Sequence, residues 1–285
     1  MSDTHFSPGR LERWILARPD GVMLRGVFVA VLALGGVVLA QDFAAMRQAG
    51  EDTARTERTE PLPLTRPEPG DQVRPYLPRT IPVAPNRGEP AIPGYDAPLD
   101  GEAMGRPMTF RRAAGDVVSA VGRIDVGTAT AFRAFLEENG AGVREIVLHS
   151  PGGSVRDAIE MSRLVREREL NTRVPDDGYC ASACPLVLAG GVARAAGEAA
   201  WIGLHQVYAV SDPSRTVARR DLDRSISDIQ RTVAECQQLL VDMGLDPGVW
   251  IRAMETPPDE LYVLTPAELA ESRFSFTPEA PEPAA

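Results

Sequence analysis

Residues 144–165 read REIVLHSPGGSVRDAIEMSRLV. Arg144–Ser150 is a short apolar run of strand length that stops at Pro151-Gly152-Gly153. Beyond it the period changes, and Val155, Ile159, Met161, Leu164 and Val165 form one broad apolar helix face. The segment predicts a strand, a glycine turn and a helix in direct succession. Gly152 and Gly153 make a tight turn possible, a common feature between strand and helix, so the unit acquires meaning only from its surroundings.

The same alternation continues on both sides. Upstream, MTFRRA (Met108–Ala113) and VVSAVGRI (Val117–Ile124) suggest strands, and ATAFRAFLEEN (Ala129–Asn139) a helix with Gly140 just past its end. Downstream, NTRVP (Asn171–Pro175) precedes GYCASACPLVLAGG (Gly178–Gly191), read as a loop-to-helix turn, and AAWIGLHQ (Ala199–Gln206) is another buried strand. Leu222, Ile226, Ile229, Val233, Cys236, Leu240 and Met243 recur in steps of four and three, which predicts one long helix whose seam meets core or another subunit. Asp246-Pro247 restarts a short helix through Met254, and LYVLTPAELAES (Leu261–Ser272) reads as a brief strand leading into a capped helix. Strands alternating with helices predict an α/β fold with a parallel sheet, whose chemistry collects where loops leave the strand C-terminal ends. SPGGS, GYCASAC and HQVYA are three such loops.

The 285 residues suit one sizeable domain plus extensions. A net charge of -10 argues against a nucleic-acid partner, which calls for a basic face. Near the N-terminus, GVFVAVLALGGVVLA (Gly26–Ala40) is uninterrupted apolar sequence, and with Arg25 snorkelling the stretch 22–40 approaches spanning length. Arg10, Arg13, Arg18 and Arg25 precede it and Asp42 follows, so the positive-inside rule leaves residues 1–21 in the cytoplasm and exports the remainder. The expected location is the inner (cytoplasmic) membrane, spanned once, with the C-terminal domain in the periplasm or outside. The long polar lead favours a retained anchor; Val38 and Ala40 also fit a signal-peptide cleavage site. Residues 41–107, proline-rich from Pro61 onward, read as an extended, disordered linker, residues 108–276 as the globular domain, and 277–285 as a frayed tail.

Ser182 sits among small residues at the start of a helix, where the dipole favours an ionised hydroxyl. A serine needs a neighbouring base, and the chain offers three histidines. His5 lies on the cytoplasmic side of the apolar stretch, His149 sits in VLHSPGG, where alternation leaves its facing open, and His205 ends a strand, a good position for a base. The bare amides of the SPGG turn can approach a substrate closely, and the Ala183 amide, next to the serine, is a natural second donor to an oxyanion. Against this stands the plainer reading of tight packing at Ser182 and a buried, satisfied His205.

SPGGSV, then ASAC leading into PLVLAGG, then LHQ, resembles the proteolytic subunit of Clp protease and the wider Clp/crotonase superfamily, over roughly Gly115 to Arg273. The resemblance implies a spiral of β-β-α units. It also implies Ser182 as nucleophile, His205 as base, and Gly153 with Ala183 as oxyanion donors. The family's third acid has no clean counterpart: the aligned position falls near Leu261, with Asp259 as the first candidate, Glu260 as the second, and neither as the remaining option. Signal peptide peptidase A, a membrane-anchored member of the superfamily, uses a serine–lysine dyad, which a chain without lysine cannot build.

An exported chain favours a disulfide over free thiols. Cys184 is the expected participant, paired with Cys236 on the long helix or with Cys180 across the elbow, leaving one cysteine over; three reduced cysteines are the alternative. None has a histidine at metal-ligand spacing, so no metal and no cofactor are expected. The expected activity is that of a membrane-anchored serine peptidase on peptide or unfolded protein, without an ATPase partner and with self-association as an option. The rivals are acyl-CoA chemistry, ranked low, and a catalytically silent module that binds a protein partner at the cell envelope.

Overall fold

The computed structural model describes residues 9–10, 20–56, 68–76, 78, 88–96, 99, 102–208 and 219–278. The tail from residue 279 onward and most of the segment before residue 20, with Arg13 and Arg18, lie outside the described residues. The chain divides into two units, residues 1–55 and 56–285.

The first unit is helix α1 (Asp20–Thr56). Its stretch Arg25–Ala44 is long and apolar enough to cross a membrane, with a mean hydropathy of 2.1 and none of it buried inside the chain. The helix continues past Ala40, where the sequence suggested a linker. QDFAAMRQAGEDTART (residues 41–56) consists mainly of good helix formers and holds no proline, so the helix runs through it.

The second unit is a mixed α/β fold of two sheets. Strands β1 (Val73–Pro75), β6 (Tyr179–Ala181), β8 (Trp201–Leu204) and β9 (Glu260–Val263) form one, in the order β1-β9-β8-β6. Strands β2 (Thr109–Arg112), β3 (Val117–Val121), β4 (Glu145–His149), β5 (Asn171–Val174) and β7 (Arg194–Ala196) form the other, in the order β2-β3-β4-β5-β7. The pairs β3–β4, β4–β5, β5–β7 and β6–β8 are parallel, as the crossovers through helices predict. β2–β3 and the pairs that β9 makes with β8 and β1 are antiparallel. The chain passes from one sheet toward the other at Ser150, whose amide donates to the Tyr179 carbonyl and whose carbonyl accepts from Ala181.

Helices α2 (Thr128–Asn139), α3 (Val155–Glu167) and α4 (Cys184–Ala189) pack beside the sheets. The buried face of α3 presents Ala158, Ile159, Met161, Leu164 and Val165 to α4, itself buried throughout. Buried Asp157 accepts from the amides of Gly127 and Ala129 and so ties α3 to the start of α2. Helix α5 (Arg219–Asp242) buries only the later part of its seam: Cys236, Leu239, Leu240 and the following Met243 are in the core, whereas Ile226 is exposed. The side chain of Leu222 lies outside the described residues. Helices α6 (Trp250–Glu255) and α7 (Pro266–Glu271) follow, the latter opened by the expected cap on Thr265, a reciprocal box with Glu268.

The segment read as a featureless linker supplies β1. Val73–Pro75 pairs with β9 in the register Val73↔Tyr262, Arg74↔Leu261 and Pro75↔Glu260. Proline is tolerated there because β1 is an edge strand.

Candidate active site

Ser182 follows β6 directly, and with Ala183 it makes a two-residue turn from strand into α4. Its φ is 60°, in the left-handed region, which costs a non-glycine residue about 1–3 kcal/mol. The turn is held by the Ser182 amide, which donates to the Gly203 carbonyl at 2.9 Å. It is also held by a disulfide between Cys180 and Cys184 that brackets the serine.

Cys184 therefore pairs with Cys180 and not with Cys236. The elbow places the two sulfurs together locally, while Cys236 stays as a free, buried thiol whose pKa burial pushes up to about 12. It behaves as a small hydrophobe, as the reduced reading had it for all three.

Parallel pairing of β6 with β8, Ala181 opposite Gly203, brings the two strand ends to the same edge. His205 lies one residue past β8, and its Nε2 is 2.7 Å from Ser182 Oγ. The next residue is pinned twice: the Gln206 amide donates to the Thr256 carbonyl at 3.0 Å and its side-chain amide to the Met254 carbonyl at 2.8 Å. His205 is 4% exposed, and burial lowers its pKa to about 4, with the Pro258 carbonyl pulling the other way. The imidazole is thus neutral at neutral pH and able to accept a proton. His149 is committed elsewhere: it is fully buried and its Nδ1 accepts from the Tyr179 amide at 3.1 Å.

The SPGG loop closes over the elbow. Gly152 has φ 90° and Gly153 φ 137°. A Cβ on Gly152 would stand 2.4 Å from the Ala181 carbonyl oxygen and 2.6 Å from the Ala183 nitrogen. One on Gly153 would stand 2.2 Å from the Ile124 carbonyl oxygen. Only bare backbone fits at either position. The loop is stitched to the strand end by Ile124 donating to Gly152 and Ser154 donating to Ile124, which leaves the Gly153 amide between them without an acceptor among the described residues. The Ala183 amide likewise has none. Gly153, Ala183, Ser182 and His205 line one cavity of about 240 Å³. Two unsatisfied donors beside a base-paired hydroxyl can hold an oxygen on which negative charge develops.

The third acid is absent from the expected place. Nδ1 of His205 makes no hydrogen bond among the described residues, so neither Asp259 nor Glu260 completes a triad. Register explains it. Gly203 pairs with Val263 and Leu204 with Tyr262, so continuing the ladder sets Leu261 opposite His205. Leu261 is fully buried in an apolar cluster, while Asp259 precedes the strand with its carbonyl accepting from the Tyr76 amide at 2.9 Å.

Tyr76 is the site residue that the reading of the sequence missed. Its ring lies 4.7 Å from the His205 ring, and its hydroxyl donates to the Pro151 carbonyl at 2.7 Å. A signal was present in DQVRPY (Asp71–Tyr76), a β-branched and aromatic island in proline-rich sequence. Arg123, on the cavity rim, is held by Asp125 and the Gly105 carbonyl.

Neither a protein-family model nor a curated protein matches this sequence.

Proposed function

We propose that the protein is a membrane-anchored serine hydrolase of the Clp/crotonase superfamily, a peptidase whose C-terminal domain acts outside the cytoplasmic membrane on unstructured peptide. The observation that carries this reading is the 2.7 Å contact between His205 Nε2 and Ser182 Oγ beneath two unused amides, those of Gly153 and Ala183. In the reaction Ser182 Oγ bonds to the peptide carbonyl carbon as its proton passes to Nε2 of His205. The carbonyl oxygen, now negative, lies against the Gly153 and Ala183 amides. The leaving amine takes the proton from His205 as the C–N bond breaks, and a water, deprotonated by the same imidazole, releases the acyl group from the serine. No step needs a metal or cofactor.

The outside orientation rests on the arginines before the apolar helix and Asp42 after it. The Cys180–Cys184 disulfide agrees with an oxidising compartment. One observation favours the rival, a cleft that binds a protein partner without turnover: Nδ1 has no acid behind it. Labelling of the full-length protein with a fluorophosphonate probe decides between them. The hydrolase reading expects labelling of the wild type above pH 5 that is lost in Ser182→Ala and in His205→Ala. Folded wild type that never labels leaves the binding module as the description.

A further inference from the structure

A serine–histidine pair without a carboxylate must fix its imidazole by other means, because only one ring orientation aims a lone pair at the serine. His205 has aromatic rings close by: Tyr76 at 4.7 Å with planes tilted by 41°, and Tyr208 at 5.7 Å tilted by 51°. The two differ in how they are held. Tyr208 is 47% exposed. Tyr76 is 7% exposed and fastened at three points: β1 is zipped to β9, its amide donates to the Asp259 carbonyl, and its hydroxyl donates to the Pro151 carbonyl. That last bond lands on the loop that carries Gly153. One side chain therefore braces both the base and the oxyanion loop, with its hydroxyl beside Ser182.

We propose that Tyr76, brought into the site by the segment between the apolar helix and the catalytic domain, is a positioning residue that does for His205 what a carboxylate does in a serine triad. Its ring fixes the plane of the imidazole, and its π face stabilises the imidazolium formed when Ser182 Oγ bonds to the carbonyl carbon and its proton moves to Nε2. Nδ1 already carries its hydrogen, so the ring becomes a cation with no carboxylate beside it; the Pro258 carbonyl favours that cation, and the Tyr76 ring lies 4.7 Å away. The inference rests on the hydrolase reading.

Apart from the Pro258 carbonyl, which favours the cation, the groups around the imidazole leave this role to Tyr76. Ser182 contacts Nε2; Tyr208 comes from the loop after β8; Arg123 lines the cavity with its charge engaged by Asp125. Asp259 and Glu260, before and at the start of β9, make no bond to Nδ1, and the Gln206 side chain is turned to the Met254 carbonyl. What governs the protonation of His205 is burial, and Tyr76 is part of what buries it.

The test uses the full-length protein in detergent, with the rate of fluorophosphonate labelling measured from pH 4 to 9. In parallel, imidazole titration is followed by NMR, where the chain's three histidines give few signals. Thermal melting reports on each variant's fold. Y76F keeps the ring but loses the bond to the Pro151 carbonyl, and is expected to label more slowly than wild type and faster than Y76L, with the acid limb of the wild type. Y76L keeps apolar bulk without a π face and is expected to label roughly 5–30-fold more slowly. Y76A opens the ring to water, and the acid limb and the His205 titration are expected to move together from about 4 by one to two pH units toward 6.5. Wild-type labelling that is unchanged in rate and acid limb in folded Y76L and Y76A overturns the inference alone. Should Y76A not fold, Y76L against Y76F decides it. A wild type that does not label overturns the inference together with the hydrolase reading, and the two failures are told apart before any variant is made.

Discussion

The floor of the cavity and its outer wall are assembled from different kinds of sequence. The floor consists of the SPGG turn, the elbow at Ser182 and the end of β8, each a short local motif delivered by a parallel strand. The wall includes Tyr76, delivered by β1, which is held by pairing with β9 far along the chain. On the floor, steric exclusion leaves almost no choice of residue. On the wall, an edge strand accepts proline and is held by backbone pairing that any sequence can supply. The nitrogen of His205 that faces the floor has its partner, and the other has no carboxylate behind it among the described residues.

Breaking the floor should have the largest consequence. In Gly153→Ala the new methyl meets the Ile124 carbonyl oxygen at 2.2 Å, backbone that cannot swing aside, and the φ of 137° is itself hostile to alanine. The loop must move, and its amide with it. Loss of one oxyanion donor costs about 100–1,000-fold in rate. Fluorophosphonate labelling of Gly153→Ala should fall by that much, while far-UV circular dichroism stays that of the folded domain. Labelling at the wild-type rate would remove the Gly153 amide from the mechanism.

This asymmetry also sets what could be read from sequence. Gly153, Ser182, Ala183 and His205 were legible because glycine turns, small residues before a helix and a histidine at a strand end each mark a backbone requirement. The structure brings those four around one cavity. The parallel α/β character was legible from alternating periods. Long-range register was not. The aligned position near Leu261 was legible, but the pairing of β9 with β8 that leaves Asp259 before the strand and bonded elsewhere is stated by no local pattern in PPDELYV. β1 was hidden by its prolines, which argue against a strand everywhere except at an edge. The seam from Leu222 to Met243 showed a helix without showing that Ile226 would stay exposed.

The next effect is a pH dependence of stability. His205 binds its proton less tightly folded, with a pKa of about 4, than at its ordinary 6.5. The unfolded chain therefore takes up a proton between these values. The contribution to stability is full above pH 6.5, falls as the pH drops toward 4, and levels off below. The loss from pH 7 to pH 4 is about 3 kcal/mol at this site. Urea unfolding of wild type and His205→Gln at both pH values should show the wild type losing that much more. Equal losses would mean that the imidazole is hydrated.

The disulfide tests whether the elbow needs help to hold its backbone. Replacing Cys180 and Cys184 together by alanine removes a short covalent ring around Ser182, a restraint worth about 2 kcal/mol by chain entropy. With Ser182 still required at φ 60°, part of that loss should fall on the site itself, and labelling should slow several-fold along with the drop in melting temperature. Stability lost with labelling untouched would show that the Gly203 bond and the packing of α4 suffice.

The smallest effect separates docking of the wall from the aromatic ring that it carries. The Gln72 side-chain amide donates to the Val263 carbonyl at 3.3 Å and to the Glu268 carboxylate, at the opposite end of β1 from Tyr76. Gln72→Leu removes both bonds, while Glu268 keeps Tyr262 and Thr265 as donors, so no buried carboxylate is stranded. The cost is about 1 kcal/mol, a fall of roughly 2–4 °C in melting temperature. Tyr76 keeps its own bonds to Asp259 and Pro151, so the labelling rate should stay within about twofold of wild type. If Gln72→Leu slowed labelling as much as Tyr76→Leu, seating of the whole strand would be the controlling feature, and the ring on His205 would lose its separate standing.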